Sequence, residues 1–164
     1  AQIKERGAAE KPLQSFIRPD DFMQPGDYPE KIRAYCEKTG QPVPQTDGAL
    51  VRCVLESLAM RYRQVYQSLK PYITWEEKLY IVGGGAQNQV LNQFAANALG
   101  IPVITGASEA TAVGNVMEQL YALGAYKTRA EKCDILAASF ETAQYLPQDT
   151  GEWDEAYRRF NDLY

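Results

Sequence analysis

Three consecutive glycines, Gly83, Gly84 and Gly85, separate two different hydrophobic patterns in this chain. Before them, the apolar run over residues 79–82 predicts a short buried strand. After them, Asn88 opens a segment in which apolar residues recur at the spacing of one helix face. Those residues are Val90, Leu91, Phe94, Ala95, Ala98 and Leu99. The stretch therefore predicts a strand, a glycine turn and a helix, which is the repeating unit of an α/β fold.

A strand-to-helix turn built from glycine can accept a phosphate group. Glycine has no Cβ, so it adopts positive φ and lets another molecule approach the backbone. The first turn of the next helix adds unpaired N–H groups and a partial positive charge. Two interpretations remain open: a nucleotide lies across the three glycines, or the turn packs tightly and binds nothing. The motif is not a Walker loop, because no Gly-Lys-Ser/Thr follows, and Asn88 replaces the third glycine of the dinucleotide fingerprint.

Length and charge narrow the class of protein. The 164 residues suffice for one domain with a core, and their composition is that of an ordinary globular protein. The net charge of −4 and the lack of a Lys/Arg cluster argue against nucleic acid as a partner. No run of about 18 apolar residues occurs, so we expect no membrane span. No signal-peptide pattern follows Ala1, which predicts a cytoplasmic location, and the missing Met predicts a piece of a longer chain.

The chain has no histidine. This excludes Ser-His and Cys-His nucleophile pairs and most zinc sites, so we predict no metal site in the chain. The cysteines are Cys36, Cys53 and Cys133, and no Cys-x-x-Cys occurs. Their odd number and wide spacing favour reduced, buried thiols. A Cys36–Cys53 bridge stays open, because the two residues belong to consecutive predicted helices.

The first part of the chain predicts an irregular segment followed by two helices. Residues 1–26 are polar and contain Pro, Asp and Gly, so we expect a loop that packs Phe16, Ile17 and Phe22 against the core. Asp27 is the expected cap of the first helix.

The second helix is the longest one that the sequence predicts. Either Thr46 or Asp47 caps it, and Pro71 ends it. Its roughly 22 residues would span about 33 Å, long enough to cross the face of a sheet. We expect Tyr62 and Tyr66 in the core, on an apolar stripe that includes Leu50, Val51, Val54, Leu55, Leu58, Val65 and Leu69. The charged residues expected on its solvated face are Arg52, Glu56, Arg61 and Arg63.

Helix and strand continue to alternate after the glycine turn. Gly100 is the expected left-handed residue that ends the helix over 89–99. Residues 101–105 predict a strand, with Pro102 at an edge or a strand end. Ser108 predicts the cap of the next helix, which would end at Gly124 and bury Val113, Val116, Met117, Leu120 and Leu123. We therefore predict an α/β fold with parallel strands and packed helices.

Two more helices close the chain. One runs from Arg129 to about Thr142, and the other spans residues 151–164. The apolar residues expected to dock the terminal helix are Trp153, Ala156, Tyr157 and Phe160.

The central motifs resemble those of a known family, the FGGY carbohydrate kinases. The matching stretches are Ile81-Val-Gly-Gly-Gly-Ala-Gln-Asn88, Leu91-Asn-Gln-Phe94, Leu99-Gly-Ile-Pro-Val103 and Gly106-Ala-Ser-Glu-Ala-Thr-Ala-Val-Gly-Asn115. The resemblance runs from about residue 15 to residue 126, and the last residues also resemble the way chains of this family end. The Gly-Gly-Gly-x-Gln-Asn and Glu-Ala-Thr/Ser-x-x-Gly-Asn motifs are specific in combination.

The resemblance implies an actin-like (ribonuclease H-like) ATPase lobe, one of two lobes that enclose a cleft. Residues 1–164 would be the C-terminal part of the second, nucleotide-binding lobe, or about the last third of a kinase. Gly84 would lie at ATP, with Gly83 and Gly85 shaping the turn. Asn88 would lie near the adenine or the ribose.

The reaction that the resemblance implies transfers the γ-phosphoryl group of Mg-ATP to a primary hydroxyl of a ketose. The most similar members act on L-rhamnulose and form its 1-phosphate. Catalysis would depend on placement, on Mg²⁺ and on an aspartate that accepts the hydroxyl proton. The resemblance places that aspartate and most of the sugar-binding residues in the first lobe. We therefore expect no catalytic residue in this chain and no activity from the chain alone.

The acidic residues of the first part of the chain are explained by local structure. Asp20 and Asp21 lie in a predicted loop and Asp47 at a helix start, which are ordinary positions for aspartate. Two other functions remain open. One is a stand-alone adenine-nucleotide binding or regulatory module without catalysis, and the other is a structural domain in which the glycines only form a turn.

Overall fold

The structure, a computed structural model, describes residues 10–72 and 78–164. The helices in these ranges are α1 (Tyr28–Lys38), α2 (Asp47–Leu69), α3 (Gln89–Leu99), α4 (Ala110–Ala122), α5 (Arg129–Ser139) and α6 (Thr150–Asn161). The strands are β1 (Leu79–Ile81), β2 (Val103–Thr105) and β3 (Gln144–Tyr145). Short 3₁₀ turns lie at Pro19–Phe22, Lys70–Tyr72 and Gly84–Gln87. None of the described helices combines the length and the apolar character needed to cross a bilayer.

Local capping chemistry sets the ends of the predicted helices. The Asp27 carboxylate accepts a hydrogen bond from the Glu30 amide at 3.2 Å at the start of α1. The Thr46 hydroxyl accepts from the Ala49 amide at 3.0 Å, so Thr46 caps α2 and Asp47 is its first residue. Each bond satisfies one of the amides that a helix start leaves without an intrahelical partner. Both predicted helix starts are therefore confirmed.

The main core forms where α2, α3 and α6 meet the N-terminal segment. Its buried residues are Leu13, Phe16, Leu55, Ala59, Met60, Leu91, Ala98, Trp153, Ala156, Tyr157 and Phe160. Phe16 meets Phe160 edge-on, with ring centroids 6.1 Å apart, and Phe94 lies 5.4 Å from Trp153. Aromatic pairs at these separations add to the free energy gained by burying their area. The predicted docking of the terminal helix is confirmed.

A second, smaller core joins the N-terminal segment to α1 and α2. Ile17 is buried there, and Phe22 is half-buried with its ring 5.6 Å from that of Tyr35. The other buried members are Ile32, Cys36, Leu50 and Cys53. The residues between Glu10 and Asp27 thus gain their order from packing, with the 3₁₀ turn Pro19–Phe22 as their regular element.

The longest helix, α2, packs along α3. The helix α2 has 23 residues and α3 has 11, so their lengths are about 34 Å and 16 Å. The shorter helix covers only part of the longer one. Tyr62, Val65 and Leu69, near the end of α2, are therefore exposed, and Tyr62 is not the core residue that its spacing predicts.

Two charged residues of α2 do not lie on its solvated face, contrary to the prediction. Glu56 is only 1 % exposed, and both of its carboxylate oxygens accept from the Leu13 amide at 3.0 Å. The Arg52 guanidinium donates to the same carboxylate at 2.6 Å. Burial raises the pKa of Glu56, although Arg52 and the Leu13 amide act in the opposite direction. Glu56 and Arg52 are thus not on a solvated face. Together they anchor the N-terminal segment to α2.

The three strands form one mixed sheet in the order β1-β2-β3. The strands β1 and β2 are parallel, with Leu79 paired with Val103 and Ile81 with Thr105. The third strand is antiparallel to β2 and was not predicted. Pro102 precedes β2, and its carbonyl accepts from the Leu79 amide at 2.9 Å. Of the two predicted positions for this proline, the strand end is the one observed.

The β1 strand is not buried, contrary to the prediction. One face of the sheet packs on α3 through a cluster of Ala95, Ala96 and Val103, to which Leu79 and Ile81 add. Alternate side chains of a strand point to opposite faces. Tyr80 and Val82 therefore point away from this cluster, and both are exposed.

The region after β2 departs most from its prediction. The helix α4 begins one residue later than expected, with Glu109 at the cap position and no side-chain cap, so Ser108 does not cap it. Two backbone hydrogen bonds join Gly106 to Ile81 of β1 and Ala107 to Gly83 of the glycine turn, so residues 106 and 107 are extended beside the first loop. Met117 is the buried residue of α4, whereas Val116 and Leu123 are exposed. The next helix, α5, ends at Ser139, three residues before the predicted end.

The cysteines are free thiols. Cys36 and Cys53 are buried and Cys133 is exposed, so the bridge that the sequence left open is not formed. A hydrogen bond from the Cys53 thiol lowers the pKa of Cys36. The same bond and burial raise the pKa of Cys53. The two thiols thus pack as a buried pair between α1 and α2.

Candidate functional site

The three glycines lie where β1 ends, beside the loop that follows β2. Because β1 and β2 are parallel, their carboxyl ends meet at the same edge of the sheet. Such an edge is the usual ligand site of an α/β sheet. The candidate site is therefore formed by two loops, residues 82–88 and residues 106–109.

Gly83 has the backbone conformation that requires glycine. Its φ is 79° and its ψ is −164°, a region from which a Cβ is excluded by its own backbone. Its amide donates to the carbonyl of Ala107 at 2.9 Å, and a Cβ built on Gly83 would lie 3.8 Å from the carbonyl oxygen of Ser108. Gly83 thus shapes the turn and joins it to the second loop.

Gly84 and Gly85 begin a 3₁₀ turn over Gly84–Gln87, which the sequence did not predict. Their amides are the first of this turn and so have no carbonyl of the same turn to donate to. Both residues are exposed. A Cβ on Gly84 would meet no atom within 4 Å, and one on Gly85 would meet only the Ile81 side chain, at 3.8 Å. The fold itself therefore does not require glycine at position 84.

Asn88 joins the turn to α3. Its side-chain oxygen accepts from the Leu91 amide at 3.3 Å and so caps the helix, which begins where the sequence predicts. Its own amide donates to the carbonyl of Gly85 at 3.1 Å. The side chain is half-buried, and among the described residues its nitrogen has no hydrogen-bond partner. Asn88 thus has one side-chain atom committed to the fold and another that donates to no described residue.

Gly106 brings the second loop against the first. Its amide donates to the carbonyl of Ile81 at 2.9 Å, which extends the pairing of β1 and β2 by one residue. A Cβ on Gly106 would lie 2.9 Å from the Val82 side chain, which is closer than real Cβ contacts allow. The sequence marked Gly106 as a turn residue but gave no sign of this contact, because Val82 is 24 positions away in the sequence.

Asn92 is a further residue of the site that sequence reasoning missed. It is fully buried in the first turns of α3, and its side-chain nitrogen donates to the carbonyl of Ala86 at 2.9 Å. Its side-chain oxygen is buried and has no hydrogen-bond partner. Asn92 belongs to the stretch Leu91-Asn-Gln-Phe94 that carries the family resemblance, but the helical pattern of residues 88–99 gave no sign of its bond to the preceding turn.

The glycine turn and the start of α3 carry no charged side chain, and Glu109 is the ionisable residue of the second loop. Residues 83–92 contain no ionisable side chain, so a bound phosphate would meet backbone amides and the start of α3. No cluster of three or more metal-ligating side chains occurs in the parts of the chain that the structure describes. Asp20 pairs with Arg61 at 2.9 Å and Asp21 with Arg18 at 3.5 Å, so both serve the N-terminal segment.

The glycine turn lies on the surface, apart from a cavity in the N-terminal part of the chain. A cavity of about 230 Å³ lies between residues 10–15, the linker that precedes α2 and the first turns of α2. Ser15, Thr46 and Cys53 are among its lining residues, and no residue of either candidate loop is. The nucleotide hypothesis therefore depends on the two loops alone.

Comparison with known families places this geometry in context. A family model described as "FGGY family of carbohydrate kinases, C-terminal domain" matches residues 1–123. The match includes both loops of the candidate site and extends through α4.

Curated relatives are similar over nearly the whole chain. A rhamnulokinase from Bacteroides thetaiotaomicron is 47 % identical over 155 residues, which are 93 % of this chain and 32 % of the relative. A rhamnulokinase from Pectobacterium atrosepticum is 41 % identical over 152 residues, which are 91 % of this chain and 31 % of the relative. The chain thus spans about a third of the length of these relatives.

Solved structures share the fold. A xylulose kinase from Rhodospirillum rubrum superposes with a TM-score of 0.61 at 26 % identity, covering 76 % of this chain and 26 % of that one. A ligand-bound xylulose kinase from Lactobacillus acidophilus gives a TM-score of 0.59 at 14 % identity, over 72 % of this chain and 24 % of that one. The predicted fold class, an α/β portion of an actin-like ATPase lobe, is confirmed.

Proposed function

Because the chain belongs to the FGGY family of carbohydrate kinases and contains its C-terminal domain, we propose that it is the ATP-binding portion of a sugar kinase. The kinase transfers the γ-phosphoryl group of ATP to a primary hydroxyl of a ketose. The ketose is L-rhamnulose and the product is its 1-phosphate. Residues 1–164 form the C-terminal part of the nucleotide-binding lobe.

The observation that supports this proposal is that Gly84 is exposed, with empty space where a side chain would be. A glycine required by the fold has either positive φ or a neighbour where its Cβ would be, as Gly83 and Gly106 do. Gly84 has neither, and it is exposed at the ligand edge of the sheet. Gly151 has neither as well, so it is the position of Gly84 at this edge that matters: the missing side chain there leaves the backbone open to a molecule that approaches from outside.

An adenine nucleotide suits the groups around Gly84. The amides of Gly84 and Gly85 and the start of α3 favour a negatively charged phosphate. The free nitrogen of the Asn88 side chain can donate to an acceptor of the ribose or the adenine. Gly83, Gly84, Gly85 and Asn88 are therefore the residues that we propose bind ATP.

The remaining chemistry is assigned to residues outside this chain. Transfer of a phosphoryl group depends on placement, on Mg²⁺ and on a base for the attacking hydroxyl. Mg²⁺ would neutralise the charge of the phosphates, but the described residues bring together no set of ligands for it. We propose that the base, the Mg²⁺ ligands and most of the sugar contacts belong to the first lobe and to the preceding part of the second.

The choice of sugar rests on the relatives. Those reported above are rhamnulokinases at 41–47 % identity, whereas the xylulose kinases are 14–26 % identical over the superposed parts. The greater similarity supports L-rhamnulose over a five-carbon ketose. The test is a comparison of ATP-dependent phosphorylation of L-rhamnulose and xylulose by the complete gene product.

The matched variants for this assay are Gly84→Val and Gly151→Val. Neither added side chain meets an atom within 4 Å of its Cβ, so both variants should fold. Gly151 lies in the first turn of α6, whereas Gly84 lies before α3. We expect phosphorylation of L-rhamnulose by the parent and by Gly151→Val, and a loss of at least tenfold in Gly84→Val. No ATP-dependent phosphorylation of either sugar by the parent would overturn the proposed function and favour a stand-alone module.

A further inference from the structure

The side chain of Asn92 forms a single hydrogen bond, and its partner lies outside α3, in the preceding turn. Its nitrogen donates to the carbonyl of Ala86 at 2.9 Å, within the 3₁₀ turn Gly84–Gln87. Its oxygen is buried without a hydrogen-bond partner. The Ala86 carbonyl can only accept a hydrogen bond, so the side-chain atom of Asn92 that faces it must be the nitrogen.

This arrangement is unfavourable for the fold alone. A buried acceptor without a donor has lost its hydrogen bonds to water and gained none in return. An apolar side chain of the same branching, such as leucine, would remove that cost. Sites that break a local rule in this way are often functional. The benefit of asparagine at position 92 must therefore lie in its bond to Ala86.

We infer that Asn92 is a positioning residue for the nucleotide, acting through the 3₁₀ turn. Within the turn, the amide of Ala86 donates to Gly83 and the amide of Asn88 donates to Gly85. Gly84 and Gly85 are exposed between these bonds. The side chain of Asn92 adds a tie from the rigid helix to the middle of the turn and so fixes the direction of the two free amides.

This inference rests on the proposed function, since it assigns Asn92 a role in binding the same nucleotide. It extends that function to a residue that does not contact the ligand. Preorganised donors bind more tightly because less ordering is needed on binding. Loosening the turn should thus weaken nucleotide binding without unfolding the chain.

The test compares two buried asparagines of one helix, in the complete gene product. Asn97, at the other end of α3, accepts from Gln93 at 2.7 Å and from the Gln148 amide at 3.0 Å, so both partners are part of the fold. The variants are Asn92→Leu, Asn92→Ala and Asn97→Leu. The measurements are the ATP dissociation constant by calorimetry, the melting temperature, and hydrogen exchange of the Ala86 and Asn88 amides.

We expect Asn92→Leu to raise the ATP dissociation constant about tenfold, the effect of one lost hydrogen bond, with an unchanged or higher melting temperature. Exchange of the Ala86 and Asn88 amides should become faster. Asn92→Ala should show the same loss of ATP affinity. This smaller side chain tests the role of Asn92 even if leucine does not fit at position 92. Asn97→Leu should lower the melting temperature and leave the affinity unchanged.

Two outcomes separate the hypotheses. If ATP binds the parent and both Asn92 variants equally while Gly84→Val abolishes binding, the positioning role is wrong and the proposed function stands. If ATP does not bind the parent, the proposed function is wrong, and the role of Asn92 in it is wrong as well.

Discussion

The amide of Gly83 donates to the carbonyl of Ala107 at 2.9 Å, which joins the glycine turn to the loop that follows β2. The amide of Gly106 donates to Ile81 in the reverse direction, also at 2.9 Å. The two hydrogen bonds hold both loops at one edge of the sheet. The shape of the candidate site therefore depends on residues after β2 as well as on the three glycines.

The close approach of the two loops predicts a cost for a side chain at Gly106. In Gly106→Ala, the new Cβ would lie 2.9 Å from Val82, so one of the two must move. Overpacking of this kind typically costs about 1–3 kcal/mol, and we expect the lower end because Val82 is 56 % exposed. Denaturant unfolding measures the loss. Adding Val82→Ala should restore most of it, whereas equal losses in the single and the double variant would contradict the contact.

Removal of Glu56 should strongly destabilise the chain. In Glu56→Ala, the Leu13 amide loses its acceptors and the half-buried Arg52 loses a partner at 2.6 Å. Breaking a buried pair from one side costs about 3–5 kcal/mol. The measurement is the free energy of unfolding in urea. The exposed Glu37 of α1 gives the control, and Glu37→Ala should change that free energy by less than about 0.5 kcal/mol.

The raised pKa of Glu56 predicts the sign of a pH dependence. Above its ordinary pKa of 4.5, an unfolded Glu56 releases its proton, whereas the folded chain still holds it. Since the folded state binds more protons in this window, stability falls as pH rises from about 4.5 to the raised folded pKa. Glu56→Gln cannot titrate. We expect the stability of the parent relative to Glu56→Gln to decrease as pH rises through the window, and an increase would show that pairing with Arg52 outweighs burial.

The three cysteines should react at very different rates. Cys133 is exposed, whereas Cys36 and Cys53 are buried together between α1 and α2. A small alkylating reagent should therefore modify one thiol quickly in the native protein and all three after unfolding, as counted by mass spectrometry. In Cys133→Ser, the fast modification should disappear. Fast modification of Cys36 or Cys53 in the native state would contradict their burial.

The parts of the fold that sequence could predict are those that depend on neighbours in the chain. Asp27, Thr46, Asn88 and Gly100 each end or begin a helix through bonds or conformations within a few residues. Their residue types identify such positions directly. The glycine turn was also visible, because three consecutive glycines interrupt two regular patterns.

The parts that sequence could not predict depend on distant partners. Glu56 looks like an ordinary surface charge until Leu13, 43 positions earlier, supplies its amide. The β3 strand has two residues, too few for a periodic pattern, and it exists because β2 lies beside it. Asn92 resembles any polar residue of a helix until the Ala86 carbonyl is placed next to it. Each of these features is created by packing.

ATP binding at Gly84 is the central claim, and calorimetric titration of the complete gene product tests it most directly. Three proteins are compared: the parent, Gly84→Val and the control Gly151→Val, with equal melting temperatures showing that all three are folded. We predict that the parent and Gly151→Val bind ATP alike, and that Gly84→Val binds it at least tenfold more weakly. Equal ATP affinity in all three folded proteins would contradict the claim, because it would show that the nucleotide does not approach the backbone at Gly84.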